Sequence, residues 1–257
     1  MGMSATILSA RAYFPKPKAT SRSRTTFMVS GSLAQYRRPP MPWRHPTTSR
    51  PLRGSEAARR TERGGIMGNV QSARRPQVLF GESVELRRHS REHYPLYARW
   101  YGDREIWHLT SWTPEPMSPV AVERIFEERE NSSLSDSFAI HLPGEPEPFG
   151  IVSFINLNRA NASADLSILI GEPEYRGSGY GTDAIRTLLC YGFEELQLNR
   201  VGLTVFDFNH VAIRTYEKLG FRSEGRMRQA VRRNGAWHDA ILMSLLRSEW
   251  ERRESGG

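Results

Sequence analysis

Cysteine is almost absent from this chain of 257 residues, which contains one, Cys190. A single cysteine excludes a disulfide framework within the chain and is typical of proteins from a reducing compartment. Cys190 lies in the apolar run TLLCYGF, where cysteine usually behaves as a small buried hydrophobic residue. We therefore interpret it as a packing residue and expect a cytoplasmic protein.

Acidic residues are nearly absent from the first 66 positions, which hold two of them against 13 Lys and Arg, a balance of +11. The remaining residues carry 23 basic and 26 acidic side chains, a balance of −3. The high isoelectric point therefore belongs to the leading segment, and no nucleic-acid binding is expected of the rest. A nucleic-acid contact made by the leading segment alone would weaken steeply with salt.

Long apolar runs are also lacking, which argues against a membrane span and against a secretory signal. The leading segment is rich in Arg, Ser, Thr and Pro without helical or strand periodicity, so residues 1–76 are predicted to be disordered. It could be an organellar transit peptide, or translation could begin at Met67, the alternative we favour. Residues 77–257 are expected to form one folded domain.

Extended and helical patterns alternate from residue 78 onward, which predicts a mixed α/β domain. Helices are expected in EHYPLYARWYGD, in SPVAVERIFEERE with Ser118 as N-cap, and from about Gly181 to Leu196. Asn209 is expected to cap a further helix that ends at Gly220. Strands are expected in VLFGESVELRR, SFAIHLP, FGIVSFINLN, SADLSILIG and RVGLTVF, the middle three as a meander.

The chain closes with a predicted β-hairpin. Asn234-Gly235 is a strong signal for a two-residue turn between two extended runs. If the register continues unbroken from the turn, Val231 pairs with His238 and Ala230 pairs with Asp239.

Three glycines fall within six residues in EYRGSGYG, where a strand ends and a helix begins. Such a turn exposes backbone N–H groups beside the positive end of a helix and can bind a phosphate. It lacks the Gly-Lys-Ser/Thr of nucleotide hydrolases, and its glycine spacing differs from that of dinucleotide-binding folds. A plain glycine-rich turn is the alternative.

Four separated features of the chain resemble the GNAT superfamily of N-acetyltransferases. They are the motif Arg176-x-x-Gly179-x-Gly181, Asn209 after the next strand, the run AIRTYEKLGF and a terminal hairpin ending WHDAILMSLLRSEW. The likeness covers about Val78 to Trp250. It implies a mixed, mostly antiparallel sheet that is splayed between the parallel strands at 164–170 and 200–206, with helices on both faces. It also implies that acetyl-CoA binds in that opening.

The resemblance assigns roles to particular residues. The pyrophosphate would bind the N–H groups of residues 176–181, the pantetheine arm would follow the strand at 164–170, and Tyr216 would donate a proton to the departing thiolate. Tyr216 could instead be only a core residue of its helix. The cofactor-binding residues implied are Leu169, Ile170, Arg176, Gly177, Ser178, Gly179, Tyr180, Gly181, Thr182 and Asn209.

The general base is less sharply defined. Asp165 lies on the cofactor strand, where enzymes that resemble spermidine acetyltransferase carry a carboxylate, and we take it as the catalytic candidate. His238 and Asp239 on the last strand are the other candidates, and a water chain could replace all three.

The acceptor is expected to be a primary amine of a small molecule or peptide. The final hairpin resembles the branch of ribosomal-protein and spermidine acetyltransferases, but Ala212 and Val231 stand where the ribosomal-protein enzymes carry serine and glutamate. This departure favours a small amine over a protein N-terminus. An inactive acyl-CoA-binding module is a further alternative, and a homodimer is compatible with the sequence.

Acceptor-binding residues are expected to include Trp107, Trp112, Trp237 and Asp239, since aromatic walls with a carboxylate can hold a cationic amine. Tryptophans serve packing more often, which is the alternative interpretation. The run His89 to His93 matches an H-x-x-E-H zinc motif, but that motif needs a helix and Pro95 biases Tyr94 away from one. No metal is expected.

Overall fold

The computed structural model describes residues 4–5 and 75–255, so the segment expected to be disordered lies almost wholly outside the described residues. Within that part the chain forms nine strands and six α-helices. Their bounds are β1 (Ser4–Ala5), β2 (Val78–Phe80), β3 (Glu85–Arg87), α1 (Tyr94–Gly102), α2 (Arg104–Thr110), α3 (Pro119–Asn131), β4 (Asp136–His141), β5 (Gly150–Asn158), β6 (Ser163–Ile170), α4 (Tyr180–Cys190), β7 (Arg200–Phe206), α5 (His210–Leu219), β8 (Arg222–Arg233), β9 (Ala236–Leu246) and α6 (Arg247–Glu254).

The strands join one mixed sheet in the order β2-β3-β4-β5-β6-β7-β9-β8, and β1 adds to β6 beside this path. Neighbouring strands are antiparallel except β6 and β7, which run parallel. The expected meander of β4, β5 and β6 and the expected parallel pair are both confirmed.

Helices cover both faces of the sheet because the buried strands carry apolar side chains on both sides. On one face α1 and α3 pack on the sheet through a cluster that includes Tyr97, Trp100, Phe126, Ile151 and Leu169. The larger cluster brings α4 and α5 against the sheet and includes Phe154, Leu166, Ile185, Leu188 and Tyr216. The predicted fold class is therefore confirmed.

Helix ends follow the expected capping signals. The Ser118 hydroxyl accepts from the N–H of Ala121 at 3.3 Å, and the Asn209 carboxamide accepts from the N–H of Ala212 at 3.3 Å. Helix α2 was missing from the sequence interpretation, although Asp103 provides an N-cap whose carboxylate accepts from the N–H of Ile106 at 2.9 Å.

Helix α4 buries an apolar stripe that includes Ile185, Leu188 and Leu189 and then widens into a π-helical turn at residues 191–195. Its first turn is tied to the turn between β2 and β3. The Asp183 carboxylate accepts from the N–H of Glu82 at 3.1 Å, from the N–H of Ser83 at 2.7 Å and from the Ser83 hydroxyl at 2.9 Å.

The terminal hairpin forms around Asn234-Gly235 with Val231 opposite His238, as expected. The predicted pairing of Ala230 with Asp239 is wrong, because a bulge interrupts the register between Met227 and Val231. Within the bulge Gln229 has a φ of 52° and donates its N–H to the Asp239 carboxylate at 2.8 Å instead of to a strand partner.

The H-x-x-E-H run does not form a metal site. His89 shares hydrogen bonds with the Tyr97 hydroxyl at 3.1 Å and the Ser137 hydroxyl at 2.8 Å. Tyr94 is helical, contrary to the bias expected from Pro95, because proline is tolerated in the first turn of a helix. Over the described residues, no group of three or more His, Cys, Asp or Glu side chains is placed to hold a metal ion, and no helix is long and apolar enough to cross a membrane.

Candidate active site

The two parallel strands pair over three residues and then separate. Ser163, Ala164 and Asp165 face Arg200, Val201 and Gly202, and beyond this point β6 continues to Ile170 while β7 continues to Phe206. In the opening β6 pairs with β1 at Ile168 and Leu169. This edge of β6 therefore accepts an extended backbone.

The loop after β6 presents backbone N–H groups at one end of the opening. Gly177 and Gly179 have φ values of 78° and 91°, which side chains of L residues rarely tolerate, and α4 begins directly after Gly179. No backbone carbonyl among residues 75–255 accepts from the N–H groups of residues 177–181. These groups lie at the positive end of α4 and fit a phosphate.

Arg176 connects the loop to the end of β6. Its N–H donates to the carbonyl of Pro173 at 3.0 Å. Its guanidinium donates to the carbonyls of Ile170 at 3.2 Å and Gly171 at 3.1 Å. The N–H groups that donate to no backbone carbonyl of the described residues therefore begin at Gly177.

The remaining loop residues take several positions. The Thr182 N–H already donates to the carbonyl of Gly179 at 2.9 Å, whereas Ser178 is exposed. The Tyr180 ring packs against Phe149, with ring centroids 5.6 Å apart. Leu169 and Ile170 bury their side chains in the two apolar clusters, so only their backbone can face a ligand.

Helix α5 follows β7 and carries Asn209 at its N-cap and Tyr216 near its C-terminal end. Asn209 is buried and, besides capping α5, donates its side-chain N–H to the carbonyl of Leu109 at 3.3 Å, which connects α5 to α2. Tyr216 is 1% exposed and packs edge-to-face on Phe221. Burial raises the pKa of the Tyr216 phenol well above its usual value, which keeps it protonated.

Asp165 lies at the last paired position of β6, where the opening begins. Its carboxylate accepts from the side-chain N–H of Asn156 at 2.8 Å and lies beside the backbone of Gly202. The side chain is partly exposed.

An aromatic wall joins α2 to the terminal hairpin. The Arg233 guanidinium stacks 4.1 Å from the Trp107 ring and donates to the carbonyls of His108, Ser111 and Arg232. Trp112 packs edge-to-face on Phe206 at 5.0 Å. Two of the three expected tryptophans are thus brought together, and they are held by packing.

Trp237 and Asp239 do not join this wall. Trp237 is 58% exposed, and strand alternation places it on the face of β9 opposite His238 and Ala240. Asp239 accepts from the Gln229 N–H at 2.8 Å and from the Arg226 guanidinium at 3.2 Å, so both oxygens are occupied within the hairpin.

Sequence reasoning missed Arg233, Phe206, Phe208 and His108 as part of this wall. Phe208 packs against His108 at 5.0 Å and against Phe206 at 5.5 Å. The pattern FDFN at the end of β7, with an aromatic residue on either side of Asp207, was the available signal.

The fold and the site are together those of an α/β domain with an opening between two diverging strands that fits an extended, phosphate-containing ligand. Residues 83–222 match the family model described as the acetyltransferase (GNAT) domain. The chain therefore belongs to the GNAT acetyltransferase family, whose acyl donor is acetyl-CoA. The N–H groups of residues 177–181 and the edge of β6 that pairs with β1 fit the phosphates and the extended arm of that molecule.

Known relatives support this membership. The chain is 39% identical over 102 residues to YdaF of Bacillus subtilis (strain 168), named as a candidate ribosomal N-acetyltransferase, covering 40% of this chain and 55% of that protein. It is 30% identical over 140 residues to spermidine N(1)-acetyltransferase of Escherichia coli (strain K12), covering 54% of this chain and 74% of that protein. The chain thus spans little more than half the length of the first curated relatives it matches.

Among solved structures, spermidine N-acetyltransferase from Vibrio cholerae in complex with CoA and spermine superposes with a TM-score of 0.61 at 26% identity. The match covers 66% of this chain and 98% of that chain.

Proposed function

We propose that the folded domain, residues 77–257, transfers an acetyl group from acetyl-CoA to a primary amine. This proposal rests on the opening between β6 and β7. The edge of β6 that pairs with β1 forms one side of the opening. In the loop after β6, the N–H groups of residues 177–181 donate to no backbone carbonyl of the described residues. Membership in the GNAT family and the named relatives support it.

The chain's own groups would bind and orient the donor. The N–H groups of residues 177–181 and the N-terminus of α4 hold the pyrophosphate. The backbone of Ile168 and Leu169, which pairs with β1 in the structure, pairs with the pantetheine arm in place of β1. Asn209, buried where β7 ends, contributes its carboxamide beside this arm.

Acetyl transfer forms a carbon–nitrogen bond and breaks a carbon–sulfur bond. The leaving sulfur accumulates negative charge as the bond breaks and needs a proton. Tyr216 is assigned this role by the family resemblance, and burial keeps its phenol protonated. Asp165 is the candidate base given by the family resemblance.

A small-molecule amine is the proposed acceptor class. Val231 is buried in an apolar cluster with Phe206 and Ala240, and Ala212 is buried in α5, so neither position supplies the polar group found in ribosomal-protein enzymes. Acetylation of a protein or peptide N-terminus is the second candidate, supported by the identity with YdaF. Trp107 and Trp112 would contribute apolar contacts to the acceptor.

Compartment and assembly belong to the same proposal. The single cysteine is typical of the reducing cytoplasm, where acetyl-CoA is available. A homodimer is considered because β8 is an edge strand at the end of the sheet and can pair with a second copy.

The test is thiol release from acetyl-CoA with a panel of polyamines, amino acids, aminoglycosides and basic peptides. We expect turnover with at least one amine, and Tyr216→Phe should lower kcat by about 10². The Km for acetyl-CoA should change little, because the phenol acts on the leaving group.

Tyr191→Phe is the matched control. The Tyr191 hydroxyl donates to the buried Asp136 carboxylate at 2.6 Å, so its loss should lower the free energy of unfolding by about 1–3 kcal/mol while kcat is retained. Acyl-CoA binding without turnover by any amine would instead identify an inactive binding module.

A further inference from the structure

A histidine and a carboxylate face each other at the end of β7. The imidazole Nδ1 of His238 lies 3.6 Å from Oδ1 of Asp207. This oxygen is buried and accepts no hydrogen bond from the described residues. The other oxygen accepts from the Arg226 guanidinium at 3.2 Å and from the N–H of Asp239 at 3.3 Å. Asp207 is therefore held in place with one oxygen directed at the imidazole.

The His238 ring is fixed from a second direction by the aromatic wall. Phe208 packs edge-to-face on it, with ring centroids 4.8 Å apart. The side chain is 29% exposed, and no described group forms a hydrogen bond with its Nε2 atom. With Nδ1 facing the carboxylate, Nε2 can exchange a proton with a ligand or with water.

The pair lies at the opening. Asp207 precedes Asn209 by two residues, so their α-carbons are within about 7 Å of each other. Phe208, which lies between them in sequence, packs on His108 of α2. The side-chain N–H of Asn209 donates to the carbonyl of Leu109, the residue that follows His108 in α2. The imidazole thus belongs to the wall formed by α2, the end of β7 and the hairpin.

We propose that His238 is the general base of the reaction and that Asp207 is its positioning residue; this rests on the proposed function. Neutral His238 takes one proton from the acceptor ammonium at Nε2, and Asp207 stabilises the imidazolium that forms. The free amine attacks the thioester carbonyl, the carbon–nitrogen bond forms and the carbon–sulfur bond breaks. The thiolate takes the phenol proton of Tyr216, and the second proton of the nitrogen restores that phenol. One proton leaves His238 to solvent in each cycle.

The other candidates are less suited to this role. Asp239 has both oxygens occupied by Gln229 and Arg226. Asp165 is hydrogen-bonded to Asn156 at the closed end of the strands. His238 alone combines an unoccupied proton-accepting atom with a fixed carboxylate.

The charged and titratable groups around His238 are Asp207 on β7, Arg226 on β8, Asp239 on β9, and His108 and Arg233 beyond Phe208. Burial, followed by the charge of Arg233, lowers the pKa of His108. His108 is therefore uncharged at neutral pH, and it adds no positive charge near the imidazolium that forms on His238.

The test compares His238→Gln and Asp207→Asn with the wild type over a pH range, using an alkylamine that the wild type acetylates. For His238→Gln we expect kcat/Km to fall about 10²–10³-fold at neutral pH with an unchanged Km for acetyl-CoA, and the imidazole limb of the pH profile to disappear. Asp207→Asn should lower kcat/Km for the alkylamine less than His238→Gln does, with an unchanged Km for acetyl-CoA, because the imidazole loses the carboxylate that orients it. His210→Gln, at an exposed position of α5, is the matched control and should keep the wild-type profile.

An arylamine acceptor separates base catalysis from a structural role. An arylamine is neutral at the assay pH, so the deficit of His238→Gln should shrink at least tenfold relative to the alkylamine. An equal deficit with both acceptors, or an unchanged pH profile, would overturn the assignment while acetyl transfer by the wild type stands. If the wild type acetylates no amine, the proposed function and this assignment fail together.

Discussion

Gly179 is the residue whose substitution we expect to weaken acetyl-CoA binding most. Its φ of 91° is unfavourable for any residue with a Cβ and most of all for a β-branched one. A Cβ at this position would meet no atom within 4 Å, so the effect of a substitution comes from the backbone and from the approach of the ligand. Gly179→Val should therefore weaken acetyl-CoA binding about tenfold or more in calorimetric titration, through loss of charge-assisted hydrogen bonds.

Gly144→Val is the matched control for this variant. Gly144 has a φ of 80° and equally open surroundings, but lies in the turn between β4 and β5. Gly144→Val should lower the free energy of unfolding about as much as Gly179→Val does, without weakening acetyl-CoA binding. Gly192→Ala would be a poor control, because its Cβ would lie 2.6 Å from the Phe154 ring. Unchanged affinity in a folded Gly179→Val protein would show that the loop is only a turn.

At the residue scale, the sequence was sufficient to predict features in which a side chain acts on its own nearby backbone. The Asn209 cap and the Gly220 helix end follow from what single side chains do to their own backbone. Arg176 donates to the carbonyls of Ile170, Gly171 and Pro173, and neither a motif nor its spacing reveals such contacts. The pairing of Asp207 with His238 depends on tertiary contact and was likewise not predictable.

At the element scale, the hairpin shows how many strand pairs a turn motif can predict. Asn234-Gly235 sets the register for the first pairs, but the bulge at Gln229 then shifts it. The bulge satisfies the Gln229 N–H through the side chain of Asp239, a contact that alternation of apolar residues does not encode. Helix α2 was missed because it is only seven residues long.

The junction of β3, α1 and β4 should make stability sensitive to acid. Burial lowers the pKa of His89 to about 3 and that of His141 to about 4, from an ordinary value of 6.5. Both folded-state values are depressed, so below pH 6.5 the unfolded chain binds protons that the folded chain does not. The free energy of unfolding should fall from pH 7 to pH 5.5, with a slope of up to about 1.4 kcal/mol per pH unit for each histidine.

Urea denaturation at pH 7.0 and pH 5.5 measures this slope. His89→Gln should be less stable at pH 7.0, because the ring packs on Phe126 and bonds to Ser137, yet it should lose less stability on acidification. A slope equal to that of the wild type would show that His89 is charged in the folded protein.

At the scale of the whole molecule, the basic leading segment should be separable from catalysis. Removal of residues 1–66 should leave the cooperative unfolding transition and kcat unchanged. Because Ser4 and Ala5 pair with Leu169 and Ile168, where the pantetheine arm is proposed to bind, the affinity for acetyl-CoA should rise about threefold or more. Calorimetric titration of both forms measures this, and loss of cooperative unfolding would show that the segment belongs to the folded domain.

The fold class was predictable because periodicity indicates which strand faces are buried. Leu166, Ile168 and Ile170 alternate along β6, and all three lie in the larger apolar cluster. The strand order β7-β9-β8 was not predicted, since local patterns do not specify which distant strands become neighbours.

The bonds from Asp183 to Glu82 and Ser83 also bear on where the domain can be cut. The family match starts at residue 83, so a polypeptide trimmed to that match would lack β2 and the Glu82 N–H that Asp183 binds. Helix α4, whose N-terminus is proposed to bind the pyrophosphate, would lose part of its attachment to the sheet. Arg75 and Pro76 also contact the rest of the domain, through the carbonyl of Ser132 and the guanidinium of Arg88. We therefore expect a stable fragment to require residues that precede the family match.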